Sequence, residues 1–410
     1  MTANSRHAPL SQFPVEDDQL LVGGRPLPDL AEQVGGTPFY AYDRDAMARR
    51  VHTLREALPK AVSLHYAVKA NPMPAVVDYL RPRVDGFDVA SLQEMRVALD
   101  AGAPPEQVSI AGPGKRPEEL QAAVAAGVTV NVESPGELER LARAGAETGK
   151  RPLAAVRVNP DFELKSSGMK MSGGPKQFGI DAEQVPGVLR RLGELDVHFR
   201  GFHIFSGSQN LSAESIREAQ DATFALAYRL AEHAPGPVEL LNIGGGFGIP
   251  YFPGEQPLDL AACTDNLAGR MAECRRRLGD AEVVLELGRY LVGEAGVYAC
   301  RVLDRKISRE QIFLVTDGGL HHHLAASGNF GQIIRKNYPV VTPDHVQGGA
   351  RETVSVVGPL CTPLDLLADR VEMGRAEEGD LVAVLQSGAY GYSASPHRFL
   401  GHPPPLEVLV

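Results

Sequence analysis

The alternation of apolar and polar positions falls into two regimes. Between residues 62 and 287, short runs rich in Val, Ile, Leu and Phe alternate with longer amphipathic stretches. The runs are VSLHYAV (62–68), VDGFDV (84–89), QVSIA (107–111), VTVNV (128–132), AAVRVN (154–159), HFRGFHI (198–204), VELLNI (238–243) and EVVLEL (282–287). Each has the length and β-branched content of a buried strand. Helix starts stand between them: Ser91 with Glu94 forms a capping box, and Ser134, Pro135 and Glu137 form another with proline in the first turn. Stretches such as AESIREAQDATFALAYRLAEHA carry the helical period. Strands alternating with helices in this way predict an α/β fold, a (β/α)8 barrel with right-handed crossovers. A doubly wound open sheet shares the periodicity and differs in closure.

From Gly288 onward the helical period fades. The runs VYACRVLDRKI, QIFLVTD, ETVSVVG, DLVAVLQSG and LEVLV predict a C-terminal antiparallel β domain. The expected division is an N-terminal arm over 1–33 that packs with the β domain, a barrel over 34–287 and the β domain over 288–410.

Composition narrows the function classes. No apolar run approaches the roughly 18 residues of a membrane span, so no membrane partner is expected. A formal charge of −10 without clustered Lys and Arg argues against a nucleic-acid surface. The first residues, MTANSRHAPLSQFPVEDD, lack a basic start and an apolar core, which leaves the cytoplasm as the expected location. Four cysteines, Cys263, Cys274, Cys300 and Cys361, form no CxxC pair and suggest free thiols. Small-molecule chemistry and other subunits remain.

Barrel enzymes gather their chemistry at the carboxyl ends of the strands. There Lys69 follows the first strand, Asp88 nears the end of the second, His203 closes the sixth, Gly244, Gly245 and Gly246 follow the seventh, and Glu286 nears the end of the eighth. NIGGGFG matches neither a Walker loop nor a Rossmann fingerprint. Successive glycines after strand 7 can still turn amides toward a phosphate, and Arg289 adds a cation nearby; a tight turn is the plain alternative. A lysine at a strand end usually snorkels to water. On a rim with a phosphate turn and a carboxylate it acquires another reading, because an imine-forming amine, a phosphate cradle and an acid for a ring nitrogen are what pyridoxal phosphate needs. Desolvation on the rim is expected to lower the basicity of Lys69.

HYAVKANP, GFDVAS, GFHIFSGSQNL, NIGGGFG, ELGRYLVGEAG, GPLCTPLD and GAYGYSAS, in this order, resemble the fold type III pyridoxal-phosphate decarboxylases of the diaminopimelate/ornithine decarboxylase group, over roughly residues 35 to 410. The resemblance implies an alanine-racemase-like barrel followed by a β domain, in a homodimer with shared active sites, and pyridoxal 5'-phosphate as cofactor. It implies α-decarboxylation through a Lys69 aldimine and a quinonoid, with His203 stacked on the ring and Glu286 on the pyridine nitrogen. Asp88 joins the cofactor set. Ser206, Gly244, Gly245, Gly246, Arg289 and Tyr390 are implied to hold the phosphate, and Cys361 to return the proton. A cysteine near pKa 8.5 is mostly thiol at neutral pH and can donate. The other three cysteines read as small buried hydrophobes.

Departures from the family pattern bear on the substrate. Thr362 follows Cys361 where ornithine and diaminopimelate enzymes carry an acid for the distal amine, so free basic substrates lose their partner. Phe205 stands where relatives have glycine. HIFSGSQNL and DGGLHHHLAASGNFG are similar to a divergent exosortase-associated branch and to decarboxylases of conjugated or carrier-linked amino acids. Asp365, Arg335 and His323 are the further candidate substrate contacts; Arg335 and Lys336 read equally as a solvated basic pair. For His321, His322 and His323 a metal is not expected, since a strand puts only His321 and His323 on one face and no third ligand follows. Alternatives are diaminopimelate decarboxylase proper, a racemase, and a catalytically silent regulatory homologue. Glu286 and Cys361 argue against the racemase, and a silent homologue would have lost the lysine, the cysteine or the glycines.

Overall fold

The computed structural model describes residues 6–162, 169–170 and 174–410. Two compact units emerge, one of residues Val51–Gly248 and Leu258–Gly288, the other of residues Met1–Arg50, Ile249–Pro257 and Arg289–Val410.

In the first unit all eight expected strands form: β1 Val62–Ala67, β2 Gly86–Val89, β3 Val108–Ile110, β4 Thr129–Val132, β5 Leu153–Asn159, β6 His198–Ile204, β7 Leu240–Gly245 and β8 Glu282–Leu287. Neighbours in sequence pair in parallel, and β8 returns to pair with β1. The sheet therefore closes into a barrel, which rules out the open-sheet alternative. Both capping boxes start helices as read. Glu94 N donates to Ser91 Oγ at 3.2 Å ahead of helix Leu92–Asp100, and Glu137 N donates to Ser134 Oγ at 3.1 Å at helix Pro135–Thr148. Each glutamate reaches back to the amide before the cap, Ala90 N at 2.8 Å and Glu133 N at 2.7 Å. These contacts satisfy donors that a helix start leaves orphaned.

Alternation along the strands sorts the side chains. Leu64 and Tyr66, Val130 and Val132, Val156 and Val158, and Phe202 and Ile204 lie on one face, all buried. The opposite face supplies at least one buried polar residue from every strand in turn, among them His65, Asp88, Ser109, Asn131, Arg157, His203, Asn242 and Glu286. Barrels of this class usually fill the interior with branched apolar residues. Buried polar groups are costly unless paired, and several of these pair across strands. Ser109 Oγ donates to Asp88 Oδ1 at 2.5 Å, and Asn131 Nδ2 donates to Ser109 Oγ at 3.0 Å. His65 Nδ1 lies 3.3 Å from Asp88 Oδ2, an ion-pair distance.

The second unit is a β structure built on β9 Gly296–Ser308, β10 Gln311–Thr316, β11 Arg351–Val357, β12 Leu366–Gly374, β13 Leu381–Val384 and β14 Leu406–Leu409. Most pairings are antiparallel, as expected. Two are parallel: β10 with β11, and strand Phe39–Tyr42 with β14. A parallel pair needs a long crossover, and the connection over 317–350 supplies one between β10 and β11. Strand Phe39–Tyr42 also pairs with β9, so a segment from early in the chain lies between two late ones. Phe13, Leu20, Leu27 and Leu30 share one apolar core with Phe39, Val297 and Leu381. Among the described residues, no helix is long and apolar enough to cross a membrane.

Candidate active site

Lys69 stands on a single turn, Val68–Ala70, immediately after β1. Its Nζ lies 3.9 Å from Glu286 Oε1 and 5.4 Å from the centre of the Phe205 ring. The side chain is 40% exposed, so the expected desolvated amine is not what the barrel presents. A buried carboxylate, Glu286, lies within ion-pair reach instead.

Glu286 is the hub of the barrel rim. His203 Nε2 sits 3.1 Å from its Oε2, and Asn242 Nδ2 reaches the same oxygen at 3.5 Å. Burial alone raises a carboxyl pKa. Here the hydrogen bond with His203 and the charges of Lys69 and Arg157 outweigh burial and hold Glu286 well below the usual carboxylate range. An anionic partner at the foot of the site is therefore in place. Nδ1 of His203 is buried without a hydrogen bond.

The glycine segment is sterically obligatory. Gly246 has φ +77°, and a Cβ there would meet Gly207 O at 2.3 Å. At Gly245 the added carbon would meet Glu286 O at 2.0 Å. Gly244 N donates to Asn242 Oδ1 at 2.8 Å, which fixes the start of the turn. Ser206, Gly207, Asn210, Gly245 and Gly246 line one cavity beside it.

Asp88 is buried in the polar face of β2 and engaged by Ser109 and His65. Burial lowers the pKa of His65, and the Asp88 charge and hydrogen bond outweigh it, so His65 is raised. The pair is a second carboxylate–imidazole contact inside the barrel.

In the β unit, Arg289 and Tyr390 lie together, with the guanidinium 4.7 Å from the ring centre. Arg289 Nη1 donates to Tyr251 Oη at 2.8 Å, while its buried Nε has no hydrogen-bond partner, a donor suited to an anion. Cys361 is the exposed cysteine; the other three are buried. Burial pushes the Cys263 thiol up to about 12, and Cys274 and Cys300 also upward. Thr362 follows Cys361 in a turn where its Oγ1 accepts from Leu364 N at 3.3 Å.

Three of the expected substrate contacts are used by the chain itself. Asp365 is 3% exposed, and its two oxygens accept from Leu320 N at 2.6 Å and Leu360 N at 2.8 Å. It ties two loops and presents no oxygen to a ligand. Arg335 donates to the carbonyls of Ser327, at 2.7 Å, and Leu366. His323 is fully buried with Nε2 2.9 Å from Ser387 Oγ, and burial lowers it to about 3. The histidine run is a turn, where His321 and His322 stack at 3.6 Å between ring centres, so the expected strand faces do not apply. Among the described residues no cluster of His, Cys, Asp or Glu could hold a metal ion.

Residues unremarked in the sequence complete the picture. Asn242 opens the NIGGGFG segment itself, Tyr251 follows it closely, and Arg157 is a charged residue inside a buried-strand run. Together, the glycine turn, the paired carboxylate and the reachable lysine form a donor set that fits a phosphorylated pyridine aldehyde.

Comparison with known proteins supports the same group. Residues 44–293 match the family model of the pyridoxal-dependent decarboxylases, pyridoxal binding domain. The L-glutamyl-(BtrI acyl-carrier protein) decarboxylase of Niallia circulans is 39% identical over 379 residues, covering 91% of this chain and 88% of the relative. The 2-((L-alanin-3-ylcarbamoyl)methyl)-2-hydroxybutanedioate decarboxylase of Staphylococcus aureus is 31% identical over 372 residues, covering 89% and 92%. The crystal structure of diaminopimelate decarboxylase from M. jannaschii superimposes with a TM-score of 0.88 at 25% identity, covering 98% of this chain and 93% of that one. The chain belongs to the fold type III pyridoxal-phosphate-dependent decarboxylases: it is a carboxy-lyase of amino acids or their conjugates, with pyridoxal 5'-phosphate as cofactor.

Proposed function

We propose that this decarboxylase removes the α-carboxylate of an amino acid joined to a larger group, as a carrier-linked aminoacyl chain or a covalent conjugate. Thr362 is the observation that carries the reading. A free distal ammonium needs a carboxylate partner when it leaves water, and a hydroxyl supplies much less. Two of the relatives carry names that specify carrier-linked or conjugated substrates, which supports the same direction.

When bound, the cofactor withdraws the electron pair released as carbon dioxide departs. Lys69 would hold it through Nζ, and His203 would lie against the ring. Glu286, a carboxylate, would stand opposite the ring nitrogen, where it would favour the protonated form and so stronger electron withdrawal. The amides of Gly245 and Gly246 and the Ser206 hydroxyl would hold phosphate oxygens, the Gly244 amide being engaged by Asn242 Oδ1, and Arg289 and Tyr390 would supply further phosphate donors. Asp88, through His65 and Ser109, sets the polarity beneath. Cys361 Sγ would hold the proton to be returned to the substrate carbon. We infer a homodimer in which Cys361 serves the site of the other copy.

Carbon dioxide release separates the readings. The panel comprises free glutamate, ornithine and meso-diaminopimelate, citryl conjugates, and aminoacyl groups on an acyl carrier. Turnover confined to conjugated or carrier-linked members is the expected result. Robust turnover of free meso-diaminopimelate or ornithine overturns the inference from Thr362.

A further inference from the structure

Four charged residues lie buried together in the barrel: Lys115, Glu133, Glu137 and Arg157, each at most 7% exposed. Glu133 accepts from Arg157 Nη1 at 2.7 Å, from Gly112 N at 2.6 Å and from Gly179 N at 3.2 Å. Behind it, Glu137 takes Glu133 N on one oxygen and faces Lys115 Nζ at 3.1 Å with the other. Lys115 Nζ donates to the carbonyls of Gly112 at 2.7 Å and Asn131 at 2.9 Å. Buried ion pairs are poor sources of stability, because desolvation offsets most of their attraction. The geometry of Arg157 offers a better reason for them.

Arg157 on β5 is the register partner of His203 on β6, and both lie on the polar inner face. Adjacent strands are about 4.8 Å apart, so the arginine is the lateral neighbour of the histidine that holds Glu286. The groups facing Glu286 are His203, Asn242 and Lys69, with the His65–Asp88 pair on the next strand round. Arg157 also adds to the charges that hold Glu286 ionised. A guanidinium free to swing into water would contribute little, since solvent screens it. Glu133 removes that freedom with a hydrogen bond, and its backbone contacts fix Glu133 in turn.

We propose that Glu133 is a positioning residue that pins Arg157 inside the barrel as a fixed cation beside the His203–Glu286 pair. The cation biases the charge state of the group bound there. This rests on the reading that Glu286 faces the cofactor ring nitrogen.

The test is the pH midpoint at which the visible absorbance of the cofactor-loaded protein changes, as the lysine–cofactor linkage gives up its proton. Removing a fixed cation favours the protonated linkage, so Arg157→Gln raises the midpoint by about one pH unit. Arg157→Lys keeps the charge and leaves it near the wild-type value. Glu133→Ala distinguishes positioning from simple charge. If the arginine is released to water, the midpoint rises as in Arg157→Gln. A fall, the effect of losing an anion beside an arginine that stays in place, overturns the proposal, and so does no change. Should Glu133→Ala fail to fold, the Arg157→Gln and Arg157→Lys pair decides: equal midpoints for the two overturn it. Glu286→Gln separately tests the underlying reading, because without the carboxylate the ring nitrogen gives up its proton, its electron withdrawal weakens and the midpoint rises. An unchanged midpoint there removes the reading of Glu286 whatever the Arg157 variants do.

Discussion

His203 Nε2 and Glu286 Oε2 meet at 3.1 Å across β7, and Asn242 from that intervening strand reaches the same oxygen. The carboxylate is thus locked from two strands and held anionic while buried. Replacing Glu286 by Gln keeps the shape and removes the charge. Decarboxylation by Glu286→Gln is expected to fall about a hundredfold, in line with the loss of one oriented electrostatic group. Steady-state kinetics on any accepted substrate checks it, and a loss under threefold speaks against the role.

Gly246 makes a purely steric prediction. A methyl group at this position meets Gly207 O and forces a side chain into positive φ. Gly246→Ala should cost about 2 kcal/mol in cofactor retention or folding stability. Equilibrium dialysis of pyridoxal phosphate and thermal denaturation measure the two, and no change in either contradicts the turn as described.

The cysteines separate by accessibility. In native protein, iodoacetamide should label Cys361 ahead of Cys263, Cys274 and Cys300, whose thiols are buried and, through burial, harder to ionise. Cys361→Ala should reduce turnover by about 10² or more, the usual worth of a positioned proton donor. Peptide mapping by mass spectrometry reads the first and kinetics the second.

Burial of the histidine turn predicts acid lability. His323 goes from about 6.5 in the unfolded chain to about 3 when folded, because burial disfavours its charge. The unfolded state therefore binds the extra proton between these values, and the stabilisation present above 6.5 is lost as pH falls toward 3. At about pH 5 the loss from His323 is roughly 2 kcal/mol. His321 and His322, lowered to about 3 and about 4, act in the same direction. Melting temperature should drop steadily below pH 6.5, with a shallower slope in His323→Gln; identical slopes would falsify this attribution.

The barrel was legible because its strands are short, apolar and separated by capped helices, and because closure needs only eight of them. The gathering of Lys69, His203, Glu286 and the glycines at one end of the barrel was legible because strand ends are where such barrels place polar groups. Asp365, Arg335 and His323 misled for a common reason. A polar side chain in a loop looks the same in sequence whether it faces a ligand or caps the backbone of a neighbouring loop. Arg157 was missed for the opposite reason, since a charge inside a strand run reads as an interruption until the neighbouring strand supplies His203. The pairing of Phe39–Tyr42 with β9 and β14 involves partners hundreds of residues away, beyond any local periodicity.

The attachment of the cofactor through Lys69 is tested most directly by trapping. Purified protein loaded with pyridoxal phosphate is reduced with borohydride, digested, and its peptides weighed. One phosphopyridoxyl group on the peptide containing Lys69, absent from Lys69→Ala, is the result predicted. An adduct on a different lysine, or none, contradicts the account.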